Sequence, residues 1–118
     1  MRVMVLVKGG AEYEAGQMPS TDELDEMGKF NEELVKAGVM LAGEGLHPSS
    51  KGVRVDFSGD KPTVTDGPFA EAKEHLAGYC LFDCETEERA LEIAARWPDA
   101  RTIGVELRPL MTHDVPEM

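Results

Sequence analysis

Clustered positive charge is the first thing this sequence lacks. Twelve Lys and Arg against 23 Asp and Glu give a formal net charge of −11, and the cations are scattered along the chain. Binding to phosphates or to an anionic membrane surface needs clustered Lys and Arg. We therefore expect neither a nucleic-acid partner nor a membrane partner.

Cysteine and long apolar runs are also scarce. Cys80 and Cys84 are the two cysteines, and the rise of a strand puts their Cα atoms about 13 Å apart, too far for a disulfide. We interpret both as small buried hydrophobes in a reducing cytosol. The N-terminus has an apolar run of five residues and no signal-peptide cleavage site, and no segment approaches the roughly 18 residues of a membrane span. The expected location is cytoplasmic.

Motifs for cofactors, metals and nucleophiles are missing from the sequence as well. There is no Gly-rich phosphate loop, no G-x-S-x-G elbow and no clustered Cys/His spacing. The sequence thus predicts no organic cofactor, no metal and no covalent intermediate. Any chemistry would be proton transfer.

What is present fits one ordinary globular domain. The chain has 118 residues, of which 42% are hydrophobic and 30% charged, a size and composition that suit a single core. We assign residues 1–110 to the domain and residues 111–118 to a loose tail without periodicity.

The pattern of turns and periodicities predicts the order β-α-β, hairpin, β-α-β. Strands are expected over 2–8, 39–48, 52–57, 63–65, 75–84 and 102–110. A first helix begins after the capping box of Ser20 and Glu23 and ends near Gly38. A second helix, 87–97, is capped by Thr86 and stopped by Pro98.

Helical and strand spacing then assign the core. The apolar stripe of the first helix is Leu24, Met27, Phe30, Leu34 and Val35, and that of the second is Ala90, Leu91, Ala94, Ala95 and Trp97. The fold class is α+β, a ferredoxin-like βαβ-βαβ arrangement with an inserted hairpin. It has a four-stranded antiparallel main sheet and both helices on one face.

Strand parity leaves the other sheet face mixed in character. The aliphatic faces, assigned to the helices, are Val3, Val5 and Val7 in the first strand and Ile103, Val105 and Leu107 in the last. The opposite face carries Met4 and Leu6 beside charged groups, and Met40, Ala42, Glu44 and Leu46 are placed on one side of the second strand. This face predicts a homodimer formed through the sheet faces around a polar-lined cavity. A solvated face is the alternative.

The stretch VTDGPFAEAKEHLAGY (64–79) holds the main candidate loop. Asp66 suits an Asx turn, Gly67 permits an unusual backbone, and Pro68 fixes the chain as it leaves. A purely structural turn explains these three residues. Lys73 and Glu74 are harder to explain as scaffold and, with Tyr79, are the predicted ligand-binding residues.

A second candidate element is GEGLHP (43–48). Glu44 lies between two glycines, so no bulky neighbour shields it, and His47 follows at the strand's end. Because imidazole titrates near neutral pH, His47 is a natural proton carrier, although an exposed loop histidine is an equal interpretation. We predict Glu44, His47 and Asp66 as catalytic residues. Glu44, Lys73 and Glu74 are expected to face one pocket, with His47 at its mouth.

These segments resemble the DGPF-domain, or YCII-related, family. The resemblance runs through VTDGPFAEAKEHLAGY, AGVMLAGEGLHPS, ALEIAARWPDA and VELRPL, which together span nearly the whole chain. It implies a ferredoxin-like protomer that pairs into a dimeric α+β barrel. It also implies an association with extracytoplasmic-function sigma factors.

The resemblance leaves the activity open. Some relatives are regarded as small-molecule lyases that use a His-Asp pair. This chain departs from that pattern, because its histidines are His47, His75 and His113 and none lies in the first helix. Two function classes remain: a lyase or isomerase using general acid–base catalysis on a small molecule, or a non-catalytic ligand-binding or regulatory module.

Overall fold

The computed structural model describes residues 1–69, 71–72, 75–99 and 102–111. The strands are β1 (Arg2–Gly9), β2 (Met40–Gly45), β3 (Val53–Asp56), β4 (Thr63–Asp66), β5 (His75–Asp83) and β6 (Thr102–Pro109). The helices are α1 (Ala11–Glu14), α2 (Thr21–Lys36) and α3 (Glu87–Ala94), and a 3-10 turn covers Ser49–Lys51. Residues 112–118 of the predicted tail lie outside the described residues.

The main sheet has the order β2-β5-β1-β6, and every neighbouring pair is antiparallel. Strands β3 and β4 form a separate two-stranded hairpin between the two βαβ halves. This topology confirms the predicted ferredoxin-like α+β fold. No helix within the described residues is long and apolar enough to cross a membrane.

The core forms where β1 and β5 face the helices. Val3, Val5 and Val7 are buried, as strand parity predicts, and Phe82 of β5 is fully buried beside them. Helix α2 begins as its capping box predicts, because the Oγ atom of Ser20 accepts the backbone N–H of Glu23 at 3.1 Å. Its Leu34 lies in the core.

Both predicted helix stripes are wider than the faces that the helices bury. Leu24 and Val35 of α2 are 55% and 58% exposed, and Leu91 of α3 is 51% exposed. Helix α3 ends at Ala94, short of the predicted end at residue 97. Its central core residue is Ile93, which is fully buried and which the predicted stripe missed.

Two β-bulges overturn part of the parity assignment. Met40 lies opposite Phe82 while Ala42 lies opposite Leu81, so Leu41 is an extra residue in β2. Met40 therefore packs on the core, and the prediction that it shares a side with Ala42 and Glu44 is wrong. In β6 the register against β1 skips Ile103 in the same way, and Ile103 is 63% exposed instead of buried.

The face of the sheet away from the helices has the mixed character that parity predicts. Leu6 lies opposite Tyr79, and Met4 lies opposite Leu81. On β1 and β6 the Nζ atom of Lys8 donates to Oε1 of Glu106 at 3.1 Å. Half-buried apolar side chains and a charge pair thus share this open face.

Candidate functional site

A cavity of about 280 Å³ lies between the sheet and the helices. Strands β2 and β5 form its floor, and α2 and the segment after α3 form its walls. Its side-chain walls include Met27, Asn31, Met40, Cys80, Trp97 and Asp99. It opens on the helix side of the sheet, whereas strand parity predicts a cavity on the mixed face.

Three glycines make this floor. Gly43 lies opposite Cys80, and Gly45 lies opposite Gly78, on the side of the sheet that faces the helices. Gly78 itself lies opposite the buried Val7. A Cβ at Gly78 would lie 2.8 Å from the carbonyl oxygen of Glu44, and one at Gly43 would lie 3.1 Å from Sγ of Cys80, so the chain packs closely at both glycines. At Gly45 the nearest atom is 4.0 Å away, so the open space lies above this residue. Glycines inside a strand often indicate a close approach of backbone or ligand. Those of β2 and β5 border the cavity.

The walls of the cavity combine the apolar side chain of Trp97 with the polar side chain of Asn31. Trp97 is held edge-on against Phe30, with ring centroids 5.4 Å apart and an interplanar angle of 72°. The Oδ1 atom of Asn31 is shielded from solvent, and no residue in the described part of the chain hydrogen-bonds to it. A buried amide oxygen without a partner is costly, so this part of the wall favours a ligand that supplies a hydrogen bond.

Cys80 is the thiol on the cavity floor. Burial raises the pKa of this thiol to about 11. A thiol held neutral at physiological pH is a poor nucleophile. Cys80 therefore acts as a small apolar wall, in agreement with its interpretation from the sequence.

The predicted residues of the second strand divide between two surroundings. Glu44 lies opposite Tyr79, and Tyr79 lies opposite Leu6, which places their positions on the open face. Both residues also border the cavity, Glu44 at an exposed position and Tyr79 half-buried. His47 is exposed in the loop between β2 and the 3-10 turn.

The other predicted site residues do not join Glu44 within the described structure. Asp66 is the last residue of β4, exposed, and lies opposite Val53 in the hairpin. Within the described residues its side chain has no hydrogen-bond partner, so the expected Asx turn is not formed there. Lys73 and Glu74 lie outside the described residues. The shared pocket of Glu44, Lys73 and Glu74 stays a prediction.

The DGPF segment instead packs on the 3-10 turn. The backbone N–H of Gly67 donates to the carbonyl oxygen of Gly52 at 2.9 Å, and that of Phe69 donates to Oγ of Ser49 at 3.1 Å. Arg54 of the hairpin lies over the Phe69 ring, with its guanidinium carbon 4.1 Å from the ring centroid, and also pairs with Glu71. These contacts explain the motif as a structural turn.

A carboxylate–imidazole pair that the sequence did not predict lies beside this turn. The Oε2 atom of Glu14 is 3.6 Å from Nδ1 of His75, and their side chains are only 20% and 17% exposed. Glu14 also accepts hydrogen bonds from the backbone N–H of Ser49, at 3.3 Å, and from its hydroxyl. Helix α1, which carries Glu14, has only four residues, too few for a helical periodicity that would locate it in the sequence.

The fold and this cavity define a ferredoxin-like α+β protein with a half-open site between the sheet and the helices. The chain belongs to the YCII-related domain family, whose model matches residues 1–113. This confirms the family that the DGPF segment indicated.

Two known proteins show how far this similarity extends. The chain is 35% identical to an uncharacterised protein of Rhizobium meliloti (strain 1021) over 86 residues, which cover 71% of this chain and 69% of that protein. Its fold is similar to that of 5-chloro-2-hydroxyhydroquinone dehydrochlorinase from Burkholderia phenoliruptrix AC1100, solved in complex with 2,5-dihydroxybenzoquinone. The TM-score is 0.56 at 10% identity, with 97% of each chain covered. At that identity the likeness concerns the fold alone.

Proposed function

We propose that this protein binds a single-ring small molecule with hydroxyl or carbonyl substituents in the glycine-floored cavity, and acts on it by general acid–base chemistry as a lyase or isomerase. The observation that carries the proposal is a half-open cavity of about 280 Å³ whose wall includes Asn31, a side chain with a buried and unpartnered amide oxygen.

The size of the cavity sets the size of the ligand. An apolar protein cavity of about 150 Å³ is enough to bind benzene. The larger volume here suits one ring with a few polar substituents. Met27, Met40 and Trp97 supply apolar contact for the ring.

The polar groups of the cavity favour a neutral ligand that donates hydrogen bonds. Asp99 and Glu44 are the charged residues among the described cavity residues, and both are acidic. An anionic ligand would therefore meet no cation in this part of the structure. A ring hydroxyl can donate to the amide oxygen of Asn31, after a small rotation of that side chain, and present its apolar ring to Trp97. The fold neighbour acts, by its name, on a chlorinated hydroxyhydroquinone, which is a ligand of this size and chemistry.

The single tryptophan makes binding directly measurable. Trp97 is the one Trp of the chain and lines the cavity. Resorcinol, a ring with two hydroxyl groups, serves as the probe. We expect it to change the Trp97 emission saturably.

A glycine substitution tests whether the probe occupies this cavity. At Gly45 the nearest atom to an added Cβ is the carbonyl oxygen of Ala77 at 4.0 Å, so Gly45→Val fits the backbone while its side chain fills the space. The matched control is Gly28→Val on the exposed surface of α2, where nothing lies within 4 Å. Saturable binding by the control and none by Gly45→Val supports the proposal. Unchanged resorcinol affinity in Gly45→Val would refute it.

A further inference from the structure

We propose that Glu14 and His75 form the proton-transfer pair for the ring bound in the cavity, with His75 as the catalytic residue and Glu14 as its positioning residue. The inference rests on the proposed function and adds the residues that move the proton. None of the three residues predicted as catalytic from the sequence belongs to this pair.

The sheet register places His75 on the same side of the sheet as the cavity. His75 lies opposite Gly9, and Gly9 follows Val7 on the buried face of β1. Beside them Ala77 is the extra residue of a bulge in β5, and this bulge turns His75 toward the helices. Without the bulge, strand alternation would put His75 on the open face.

The pair lies just beyond the cavity along β5, and neither His75 nor Glu14 is among the residues that line it. Ala77 and Gly78 border the cavity on β5. From Ala77 to His75 is two residues, which cover about 6.6 Å along a strand, so His75 lies about that far beyond the end of the cavity floor. A ring that rests on Ala77, the cavity residue nearest to His75 on β5, would direct a substituent along the strand toward His75.

The arrangement of the pair suits a general acid–base. Glu14 faces Nδ1 of His75, which favours the proton on Nδ1 and leaves Nε2 to accept a proton from a ligand. Glu14 is itself fixed by the two hydrogen bonds from Ser49, and Ser49 is fixed by Phe69 of the DGPF segment. Glu71 is a second carboxylate within electrostatic reach of His75.

The simplest reaction for this pair is a keto–enol tautomerisation of the ring. The hydroxyl O–H bond breaks, and its proton moves to Nε2 of His75. The oxygen electron pair forms a C=O bond, and the displaced ring electrons form a C–H bond with the proton that the imidazolium returns. No oxidant, reductant or leaving group is needed. In D₂O the reverse reaction exchanges a ring hydrogen for deuterium.

Deuterium exchange into resorcinol therefore tests the pair. With the wild-type protein in D₂O, proton NMR should show loss of the signals of the ring hydrogens ortho and para to the hydroxyls faster than in buffer. His75→Asn should lower the protein-dependent rate about 100-fold, the usual contribution of a general acid–base. Glu14→Gln should lower the rate and also move its pH profile, which a merely structural role would not do.

Controls separate this inference from the binding proposal. Glu88→Gln changes an exposed carboxylate of α3, makes the same substitution as Glu14→Gln, and should leave the rate unchanged. His75→Ala, assayed with and without added imidazole, covers the case in which His75→Asn folds poorly, and rescue by imidazole supports the proton-transfer role. Two results would overturn the proton-transfer pair and leave the binding proposal standing. One is saturable binding of resorcinol, measured by Trp97 emission, without accelerated deuterium exchange. The other is an exchange rate in His75→Asn within twofold of the wild-type rate. Absence of resorcinol binding to the wild type would overturn both.

Discussion

The backbone N–H of Phe69 donates a hydrogen bond to Oγ of Ser49, which in turn donates to the carboxylate of Glu14. One hydroxyl therefore joins the DGPF segment, the 3-10 turn and helix α1. The three parts are distant in sequence, and the packing of this part of the fold depends on Ser49.

Removal of that hydroxyl should destabilise the protein measurably. Ser49→Ala leaves the Phe69 N–H and a Glu14 oxygen without their shared partner. Loss of partners for part-buried polar groups costs about 1–3 kcal/mol of unfolding free energy. Urea denaturation measures it, with the exposed neighbour Ser50→Ala as the matched control. Equal midpoints for the two variants would show that the hydroxyl does not hold the turn.

Gly67, more than Asp66, should be the residue that the DGPF turn cannot lose. A Cβ at Gly67 would lie 1.7 Å from the carbonyl oxygen of Ser49, so the backbone must move to admit it. We expect Gly67→Ala to lower the unfolding free energy by about 1–3 kcal/mol or more.

The neighbouring aspartate provides the comparison. Asp66→Ala changes an exposed side chain and should stay within about 0.5 kcal/mol of wild type. Thermal and urea unfolding of Gly67→Ala and Asp66→Ala measure which substitution lowers the unfolding free energy more. The reverse ranking would restore the Asx turn that the sequence suggested.

Among the apolar residues of the α2 stripe, the buried ones should contribute most of the unfolding free energy. Leu34 is 4% exposed, so Leu34→Ala should cost about 2–5 kcal/mol. Leu24→Ala on the same helix removes the same atoms from a side chain that is 55% exposed and should cost far less. Similar denaturation midpoints for both variants would contradict the burial of Leu34.

The buried thiol of Cys80 predicts a loss of stability in alkali. Burial raises its pKa to about 11, whereas an unfolded cysteine titrates near pH 8.5. Below about pH 8.5 the thiol is protonated in both the folded and the unfolded state, so its full contribution to the unfolding free energy is present. Above it the unfolded state binds fewer protons than the folded state, so the unfolding free energy falls as the pH rises toward 11.

The size of this loss is set by the pKa shift. Between pH 8 and 10.5 we expect a fall of about 2 kcal/mol attributable to this thiol. Urea unfolding under reducing conditions measures it. Burial also raises the pKa of the Cys84 thiol, so the slope with pH should flatten in both alanine variants and more strongly in Cys80→Ala than in Cys84→Ala. An unchanged slope in Cys80→Ala would show that the thiol ionises as freely in the folded state as in the unfolded state.

The sequence predicts the elements and their order well because local signals set them. The Ser20 capping box fixes the start of α2, and the alternation of Val3, Val5 and Val7 fixes the buried face of β1. Both signals act within a few residues, so a single sequence is enough to read them.

The site was harder to predict because it depends on three bulges. Leu41, Ala77 and Ile103 each add one residue to a strand, and each reverses the side of the sheet on which the next residues of that strand lie. No local pattern in VMLAGEGL or HLAGYC marks the extra residue. Only the paired register shows that Met40 and His75 lie on the helix side of the sheet, where His75 meets Glu14 of helix α1.

The open face of the sheet should mediate a homodimer. Its centre carries Met4, Leu6 and Leu81, and at one end Leu76 lies opposite Lys8 and is 48% exposed. The Met40 and Leu46 positions named from the sequence are not needed, and Met40 belongs to the core. A two-fold axis through this face brings the same apolar patch of two copies together and leaves the Lys8–Glu106 pair at its side.

Sedimentation at micromolar concentration measures the assembly. We expect a species of twice the chain mass of 12.9 kDa. Leu76→Asp puts a charge on the open face and should shift the protein to monomer, because an unpaired carboxylate is costly to bury. Leu24→Asp adds the same charge to an exposed position on α2 and should remain dimeric. A wild-type protein that sediments as a clean monomer, or a dimer that Leu76→Asp leaves intact, would place any interface elsewhere.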